Sequence, residues 1–149
     1  MRIIMRKVVV ASDSFKGCLS SAQVADAVEK GIHEVYPDCD VVKLAVADGG
    51  EGTIEALATT LGGCIVKVQV QDPLGRPITS EYAIVDGTTA VIEMSRASGL
   101  TLLKEEERNP LLTSTFGTGQ MVADALSKGC RRFIMGIGGM AGIAKLFVF

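Results

Sequence analysis

The amino-acid sequence predicts an α/β fold, in which a mainly parallel sheet with flanking helices is joined by an antiparallel or mixed patch of strands. Three observations favour this class. Strand and helix patterns alternate over residues 7–61, three strand patterns joined by short turns follow over residues 66–94, and 48% of the residues are hydrophobic against 21% charged. That balance is typical of a buried core and opposite to that of disordered chains. A length of 149 residues suits one ordinary domain.

The first strand and helix are predicted over residues 7–35. Residues 7–12, KVVVAS, form a short β-branched run that suits a buried parallel strand. Ser20 and Gln23 have the spacing of a capping box at a helix start. Pro37 stops the helix, whose apolar residues recur at helical spacing: Val24, Ala27, Val28, Gly31, Ile32 and Val35.

A second strand and helix follow directly. Residues 41–47 predict a strand, residues 48–53 a loop, and residues 53–61 a short helix. Gly62 and Gly63 suit its C-terminal cap. The order strand, helix, strand, helix favours a parallel sheet with right-handed crossovers.

The pattern changes after this helix. Residues 66–70 alternate between valine and polar residues, as in a half-buried strand. Turn sequences at 72–77 and 86–87 separate it from strand patterns at 78–85 and 90–94. Strands joined by such short turns are not parallel neighbours, so they predict an antiparallel or mixed patch. The patch is either a sheet edge or the start of a second lobe.

The last part of the chain returns to helix and strand. Residues 104–110 are charged and end in proline, which favours a solvated connection. Residues 113–119 lead into a helix that Gly129 ends, with an apolar stripe at Met121, Val122, Ala125 and Leu126. Residues 132–137 predict a final strand, followed by Gly138 and Gly139.

Charge and hydropathy exclude several classes of partner. The net charge is −2 and no basic run exceeds two residues, so the electrostatic footprint of nucleic-acid binding is absent. Charged residues interrupt the apolar start of the chain, which lacks the pattern of a signal peptide. The apolar stretch 133–144 is too short and too glycine-rich to span a membrane. We therefore expect a cytoplasmic protein without a membrane or nucleic-acid partner.

The cysteines and the single histidine do not predict a metal site. Cys18, Cys39, Cys64 and Cys130 are dispersed and form no C-x-x-C pair, whereas metal ligation needs clustered ligands. His33 falls off the apolar stripe of its helix, so we expect it to be solvated. We expect the four cysteines to be small, half-buried free thiols in a reducing compartment.

Three loops carry residues suited to chemistry. The first, DSFKG at 13–17, follows the first strand at its carboxyl end, where open α/β sheets bind ligands. Lys16 could neutralise a phosphate or carboxylate, and Asp13 could hold Mg²⁺, orient Lys16 or accept a proton. The alternative is an ordinary polar loop with a surface ion pair.

The second loop, DGGEGT at 48–53, combines three glycines with two carboxylates and a hydroxyl at a helix start. Glycines let backbone N–H groups approach an oxyanion, and a helix N-terminus favours negative charge. Asp48 and Glu51 would repel a bare phosphate, and a bound Mg²⁺ would reconcile the two features. The alternative is a tight turn in which Thr53 caps the helix. The sequence contains no Walker A loop and no dinucleotide-binding glycine fingerprint after the first strand.

The third loop, TSTFGTG at 113–119, places hydroxyls and glycines at a helix start, where they form either an anion cradle or a simple helix cap. Pattern alone therefore predicts an α/β domain that handles an anionic small molecule. Mg²⁺-dependent phosphoryl transfer is one such activity.

Four segments together resemble the type I glycerate kinase family: DSFKG at 13–17, ADGGEGT at 47–53, DPLGR at 72–76 and NPLLTSTFGTG at 109–119. They stand in that family's order and approximate spacing, and the resemblance covers residues 6–139. It implies phosphorylation of D-glycerate by ATP with Mg²⁺, giving a phosphoglycerate. It also implies two α/β lobes with the active site in the cleft between them.

Loops and resemblance together give the candidate site residues. Lys16 and Asp48 are the candidate catalytic residues, with Lys16 on the carboxylate or phosphoryl group. Asp48 and Glu51 are candidate Mg²⁺ ligands, or help to position the substrate hydroxyl. The candidate substrate- and phosphate-binding residues, the last three as backbone donors, are Asp13, Ser14, Gly49, Gly50, Thr53, Thr115, Gly117, Thr118 and Gly119.

The sequence departs from the family pattern in two places. Ser12 stands where the family usually has proline, which changes only loop rigidity. Residues 140–149, MAGIAKLFVF, stand where the family continues with a SATNDGG motif. We therefore expect residues 1–149 to be an N-terminal part, incomplete relative to the two-lobed fold, that is inactive alone and forms a homo-oligomer. The alternative function is an inactive fragment that still binds an anion or nucleotide.

Overall fold

The structure is a computed structural model that describes residues 5–13, 15, 18–46, 49–50 and 52–141. It comprises two compact units, residues 1–47 and residues 48–149. Both units combine strands with helices. The strand pair of the first unit is parallel, and the sheet of the second unit is mixed. The predicted α/β class is therefore confirmed.

The described residues of the first unit form two parallel strands and one helix. Strand β1 (Lys7–Ser12) pairs in parallel with β2 (Asp40–Ala45), and helix α1 (Ser21–Val35) connects them. The predicted capping box forms, because the Gln23 amide donates to Ser20 Oγ at 3.3 Å and the Ser20 amide to Gln23 Oε1 at 2.8 Å. His33 is exposed, as expected, and its Nε2 lies 3.0 Å from the carbonyl oxygen of Cys39.

The second unit contains a four-stranded mixed sheet in the order β3-β4-β5-β6. The pairs β3–β4 and β4–β5 are antiparallel, and β5–β6 is parallel. The predicted mixed patch is thus confirmed. In chain order the elements are α2 (Thr53–Leu61), β3 (Cys64–Gln71), β4 (Pro77–Val85), β5 (Thr89–Glu93), α3 (Ser95–Ser98), α4 (Phe116–Ser127) and β6 (Arg132–Gly136).

Helices cover both faces of this sheet, so β5 is buried along its whole length. Side chains alternate between the faces of a strand. Ala90 and Ile92 therefore join the core beneath α4, while Val91 joins the core beneath α2. The core beneath α4 also contains Val70, Tyr82, Ala97, Met121, Ala125 and Cys130, and the core beneath α2 contains Ile54, Ala58, Ala83 and Val85.

The largest differences from the sequence prediction lie in the connections. Helix α4 begins at Phe116, inside the predicted loop 113–119. The predicted solvated connection at 104–110 contains a 3-10 turn, Glu105–Glu107, and Glu107 accepts from Arg76 at 2.9 Å. Helix α3 was not predicted, because four residues are too few to show a helical period.

Within the part of the chain that the structure describes, no helix is both long and apolar enough to cross a membrane. Within residues 140–149, Met140 forms an isolated bridge with Gly99, and the Ala141 amide donates to the Ser98 carbonyl at 2.8 Å. Residues 142–149 lie outside the described residues.

Candidate functional site

The candidate site of the second unit lies at the carboxyl ends of the neighbouring parallel strands β5 and β6. Glu93 and Gly136 are the last pair in their register, and the Met94 amide donates to the Gly136 carbonyl at 2.9 Å. Beyond this point the two chains stay together, since the Leu100 amide donates to the Gly139 carbonyl at 3.0 Å. We call residues 136–141 the β6 extension. Carboxyl ends of parallel strands are the usual ligand edge of an α/β sheet.

The second loop packs directly against the β6 extension, backbone against backbone. The Gly138 amide donates to the Gly49 carbonyl at 3.1 Å. A Cβ added at Gly136 would lie 2.5 Å from Gly49 O, and one added at Gly138 would lie 2.9 Å from Gly50 Cα. These glycines are therefore required by the close approach of two chain segments at the ligand edge.

Thr53 closes the second loop onto helix α2. Its side-chain hydroxyl donates to the Gly50 carbonyl at 2.8 Å, and its amide to the same oxygen at 3.3 Å. The residue is buried, and the preceding Gly52 has a φ of 92°. The Thr53 hydroxyl thus shapes the tight turn, as the structural alternative expected. It does not cap the helix, because the N-cap of α2 is Gly52.

The third loop meets the other end of the β6 extension. Thr113 Oγ1 donates to the Ala141 carbonyl at 3.2 Å, and Thr118 Oγ1 lies 2.7 Å from Ser98 Oγ. Thr113, Thr115 and Thr118 are all buried. The second and third loops, 60 or more residues apart in sequence, thus border one short segment.

Gly117 and Gly119 have different surroundings within the first turns of α4. A Cβ added at Gly117 would lie 1.8 Å from the carbonyl oxygen of Gln71, so this glycine lets the helix approach the end of β3. A Cβ added at Gly119 would meet nothing within 4 Å. Gly119 is exposed, whereas Gly117 is buried.

The first loop belongs to the other unit, and four candidate residues fall outside the described residues. Asp13 follows β1 directly, and the Ser21 hydroxyl at the start of α1 donates to the Ser12 carbonyl at 2.6 Å. Ser14, Lys16, Asp48 and Glu51 lie outside the described residues. Among the described residues, no three His, Cys, Asp or Glu side chains are grouped to hold a metal ion.

The structure adds a charged network that the sequence prediction missed. Glu93 ends β5 and is only 1% exposed. Its Oε1 accepts from the Ile54 amide at 2.9 Å, and its Oε2 accepts from Arg96 Nε at 2.9 Å. A signal was present in the sequence, since a single carboxylate ends the otherwise uncharged strand TAVIE.

Arg96 lies at the centre of this network. Its two terminal nitrogens donate to Glu81 on β4 and to Glu55 in the first turn of α2. Burial by itself would lower the pKa of Arg96, but hydrogen bonds to Glu93 and Glu55 raise it above its ordinary value. The guanidinium therefore stays charged and joins β4, β5 and α2.

The DPLGR segment at 72–76 forms a hydrogen-bonded turn between β3 and β4. Asp72 is buried, and its Oδ1 accepts the amides of Leu74 at 2.8 Å and Arg76 at 2.9 Å. The Ser114 amide donates to the Pro73 carbonyl at 2.9 Å. This turn thus supports the third loop, which precedes α4.

Known proteins are similar to this chain. Residues 8–143 match the model of the Glycerate kinase family. The glycerate kinase of Bacillus subtilis (strain 168) is 48% identical over 136 residues, which cover 91% of this chain and 36% of that protein. The glycerate 2-kinase of Escherichia coli (strain K12) is 46% identical over 136 residues, with the same two coverages of 91% and 36%.

The fold of this chain is also similar to that of a solved structure. A protein assigned as glycerate kinase 2 from Salmonella typhimurium LT2 superposes with a TM-score of 0.77 at 45% identity, covering 93% of this chain and 37% of that one. The chain spans about 36% of the length of the curated relatives named above. Because the family match extends over residues 8–143, the chain belongs to the glycerate kinase family.

Proposed function

We propose that this chain takes part in the ATP-dependent phosphorylation of D-glycerate to a phosphoglycerate, in the cytoplasm. The observation that carries the proposal is the family match over residues 8–143, together with 46–48% identity to proteins named glycerate kinase or glycerate 2-kinase. A second line of support is local. Two of the three loops singled out for anion chemistry border the same β6 extension at the ligand edge of the sheet.

The proposed chemistry is in-line transfer of the γ-phosphoryl group of ATP to a glycerate hydroxyl. Such a reaction depends mainly on positioning and on neutralising charge. Lys16 would neutralise the glycerate carboxylate or the transferred phosphoryl group as a point charge. Asp13 and Ser14, in the same loop, would contact that anion.

Asp48 and Glu51 would hold Mg²⁺, because hard oxygen donors are the ligands this ion prefers. When bound, the ion would neutralise charge on the phosphates. The backbone amides of Gly49, Gly50, Gly117 and Thr118, with Thr115 beside them, would donate to phosphate oxygens. The expected donor Gly119 is corrected, because its amide already donates to the Thr115 carbonyl at 3.2 Å. The Thr118 hydroxyl already contacts Ser98, so only its amide would reach the ligand. The hydroxyl and the amide of Thr53 both donate to the Gly50 carbonyl, so Thr53 would shape the loop rather than contact the phosphate.

A coupled assay tests this function on the 149-residue chain and on any longer natural protein that contains it. ATP, Mg²⁺ and D-glycerate are supplied, and ADP release is followed with L-glycerate as the control substrate. Adding enolase alone detects 2-phosphoglycerate, whereas 3-phosphoglycerate also needs a mutase. Glycerate-dependent ADP release is expected from the longer protein, since residues 1–149 are expected to be inactive alone. Its absence from every such chain would reject the proposal.

Isothermal titration separates the alternative function from the proposed one. A chain that binds ATP with Mg²⁺ but releases no ADP would be an inactive nucleotide-binding protein. A chain that neither binds nor turns over ATP would have neither function.

A further inference from the structure

The second loop enters a helix that has no side-chain cap of its own. The residue at the N-cap of α2 is Gly52, which has no side chain to accept the free amides of the first turn. Its φ of 92° requires glycine or a strained residue, so a Ser, Thr or Asp cap is disfavoured at this position. The first turn of α2 therefore needs an acceptor from elsewhere in the chain.

Glu93 is that acceptor. Its Oε1 accepts the amide of Ile54, the second residue of α2, at 2.9 Å, although the two residues are 39 positions apart. The carboxylate also lies at the positive end of the helix dipole. It is 1% exposed, and burying an unpaired carboxylate would be costly. The hydrogen bond to the Ile54 amide thus explains why a carboxylate stands at the end of an apolar strand.

The second loop is fixed at two places, and both are strand ends. At one, the carboxylate of Glu93, the last residue of β5, holds the start of α2. At the other, the end of β6 holds Gly49 and Gly50 through the hydrogen bond from Gly138 and the close approach of Gly136. Since β5 and β6 are paired neighbours, the two anchor points share one rigid frame.

Arg96 fixes the orientation of the Glu93 carboxylate. The Nε of Arg96 donates to Oε2 of Glu93 at 2.9 Å, which leaves Oε1 to accept from the start of α2. Its terminal nitrogens contact Glu55 in the first turn of the same helix and Glu81 on β4. A lysine has no planar fork and could not hold three carboxylates in this way.

We infer that Glu93, oriented by Arg96, is a positioning residue that fixes the junction between the described part of the glycine-rich loop and α2, so that the loop can bind ATP phosphate. This rests on the proposed function of that loop. Glu93 acts through the Ile54 amide and touches neither substrate. Its removal should therefore impair the loop more than it impairs the fold.

The test compares Glu93→Gln and Glu93→Ala with the unsubstituted natural protein. Gln keeps the size of the side chain and one carbonyl acceptor for Ile54, but its amide cannot also accept from Arg96. Ala removes both contacts. Asp86→Asn is the matched control, because Asp86 also accepts backbone amides, those of Thr88 and Thr89, in the turn at the opposite end of β5.

Two readouts are taken on each variant. The first is hydrogen exchange at the Ile54 amide, which Glu93→Ala should accelerate more than 10-fold relative to amides of β5, and Glu93→Gln by less. The second is glycerate phosphorylation. We expect kcat to fall by a factor of about 10–100 in Glu93→Ala, a loss on the scale of a displaced transition-state contact. Glu93→Gln should restore part of it, and Asp86→Asn should remain within twofold of wild type.

The outcomes separate this inference from the proposed function. If the unsubstituted protein shows no Mg²⁺–ATP binding or turnover, the proposed function fails, and the Ile54 exchange still decides whether Glu93 anchors the loop. Wild-type exchange at Ile54 in Glu93→Gln and Glu93→Ala would overturn the inference. So would wild-type kcat in a variant that has lost Ile54 protection. If Glu93→Ala does not fold, Glu93→Gln carries both readouts.

Discussion

Gly117 and Gly119 show how two identical residues two positions apart in one helix can have unlike roles. Because a Cβ at Gly117 would lie 1.8 Å from Gln71 O, Gly117→Ala must displace either α4 or the end of β3. We expect a loss of about 1–3 kcal/mol in the free energy of unfolding, as for other overpacked sites. Chemical denaturation monitored by circular dichroism measures it.

Gly119→Ala is the matched control for that substitution. Nothing lies within 4 Å of the added methyl group, and alanine favours a helix over glycine. Stability should therefore rise by up to about 1 kcal/mol. Equal losses of stability in both variants would contradict the packing explanation for Gly117.

Lys16→Ala addresses the proposed point charge in the first loop. Removing one preorganised charge contact from a phosphoryl-transfer site costs a factor of about 10²–10³ in rate. We expect a decrease of that size in kcat/KM for D-glycerate. Lys30→Ala, which removes an exposed lysine on α1, is the control and should stay near wild type. A Lys16→Ala enzyme within a few-fold of wild type would mean that Lys16 is a surface cation only.

The turn that carries Asp72 makes a prediction about pH at the scale of an element. Burial alone would raise the pKa of Asp72, but hydrogen bonds from Arg76 and Leu74 lower it below its ordinary value of 3.8. A carboxyl group with a lowered pKa stabilises the folded state above its unfolded pKa, and this stabilisation is lost as the pH falls through the folded value.

The stability of the wild-type protein should thus decrease more steeply than that of Asp72→Asn as the pH falls from about 5 towards 2. At pH 7 the variant should be less stable by about 1–3 kcal/mol, the usual contribution of hydrogen bonds to a charged group. Thermal unfolding at stepped pH measures both. Other carboxyl groups also titrate in acid, among them Asp86, whose pKa is lowered to about 2. The difference between the two curves therefore isolates Asp72, and parallel curves would contradict the prediction.

The regular elements could be predicted because their signals are local. The β1 run, the Ser20 capping box and the glycines after α2 each depend on neighbouring residues, and the structure has β1 and α2 at the predicted bounds. The connections could not be predicted so well. The loop at 113–119 becomes helical from Phe116, because α4 packs against the distant Gln71 backbone through Gly117. Sequence spacing does not reveal such a partner.

The separate loops of the candidate site could be predicted from the sequence, but their contact with one another could not. Composition identified 48–53 and 113–119, but their meeting at the β6 extension depends on the parallel pairing of β5 with β6, whose residues are more than 35 positions apart. Glu93 was missed for the same reason, since its partner Ile54 lies 39 positions away on another element. Lys16, Asp48 and Glu51 stay predictions, because they lie outside the described residues.

At the scale of the whole molecule, the two units differ in how completely they cover their own strands. The unit of residues 48–149 has four strands with helices on both faces and two buried cores. In the unit of residues 1–47, the described residues form two strands and one helix, of which Val24 and Ala25 are buried. Two strands with so little core are marginal by themselves.

Residues 48–149, expressed alone, should therefore fold cooperatively, whereas residues 1–47 alone should not. A thermal melt followed by circular dichroism is expected to show one sigmoidal transition for the longer fragment and a gradual, non-cooperative change for the shorter one. Amide exchange provides the finer check, because the β5 amides should keep their protection in the 48–149 fragment if both cores are intact. Ser20→Ala provides a control within the shorter fragment. It removes the capping box and should lower the stability of any residual helix by about 1 kcal/mol or less. A 48–149 fragment that lacks β5 protection would contradict this account, because it would mean that the buried strand depends on residues outside its own two cores.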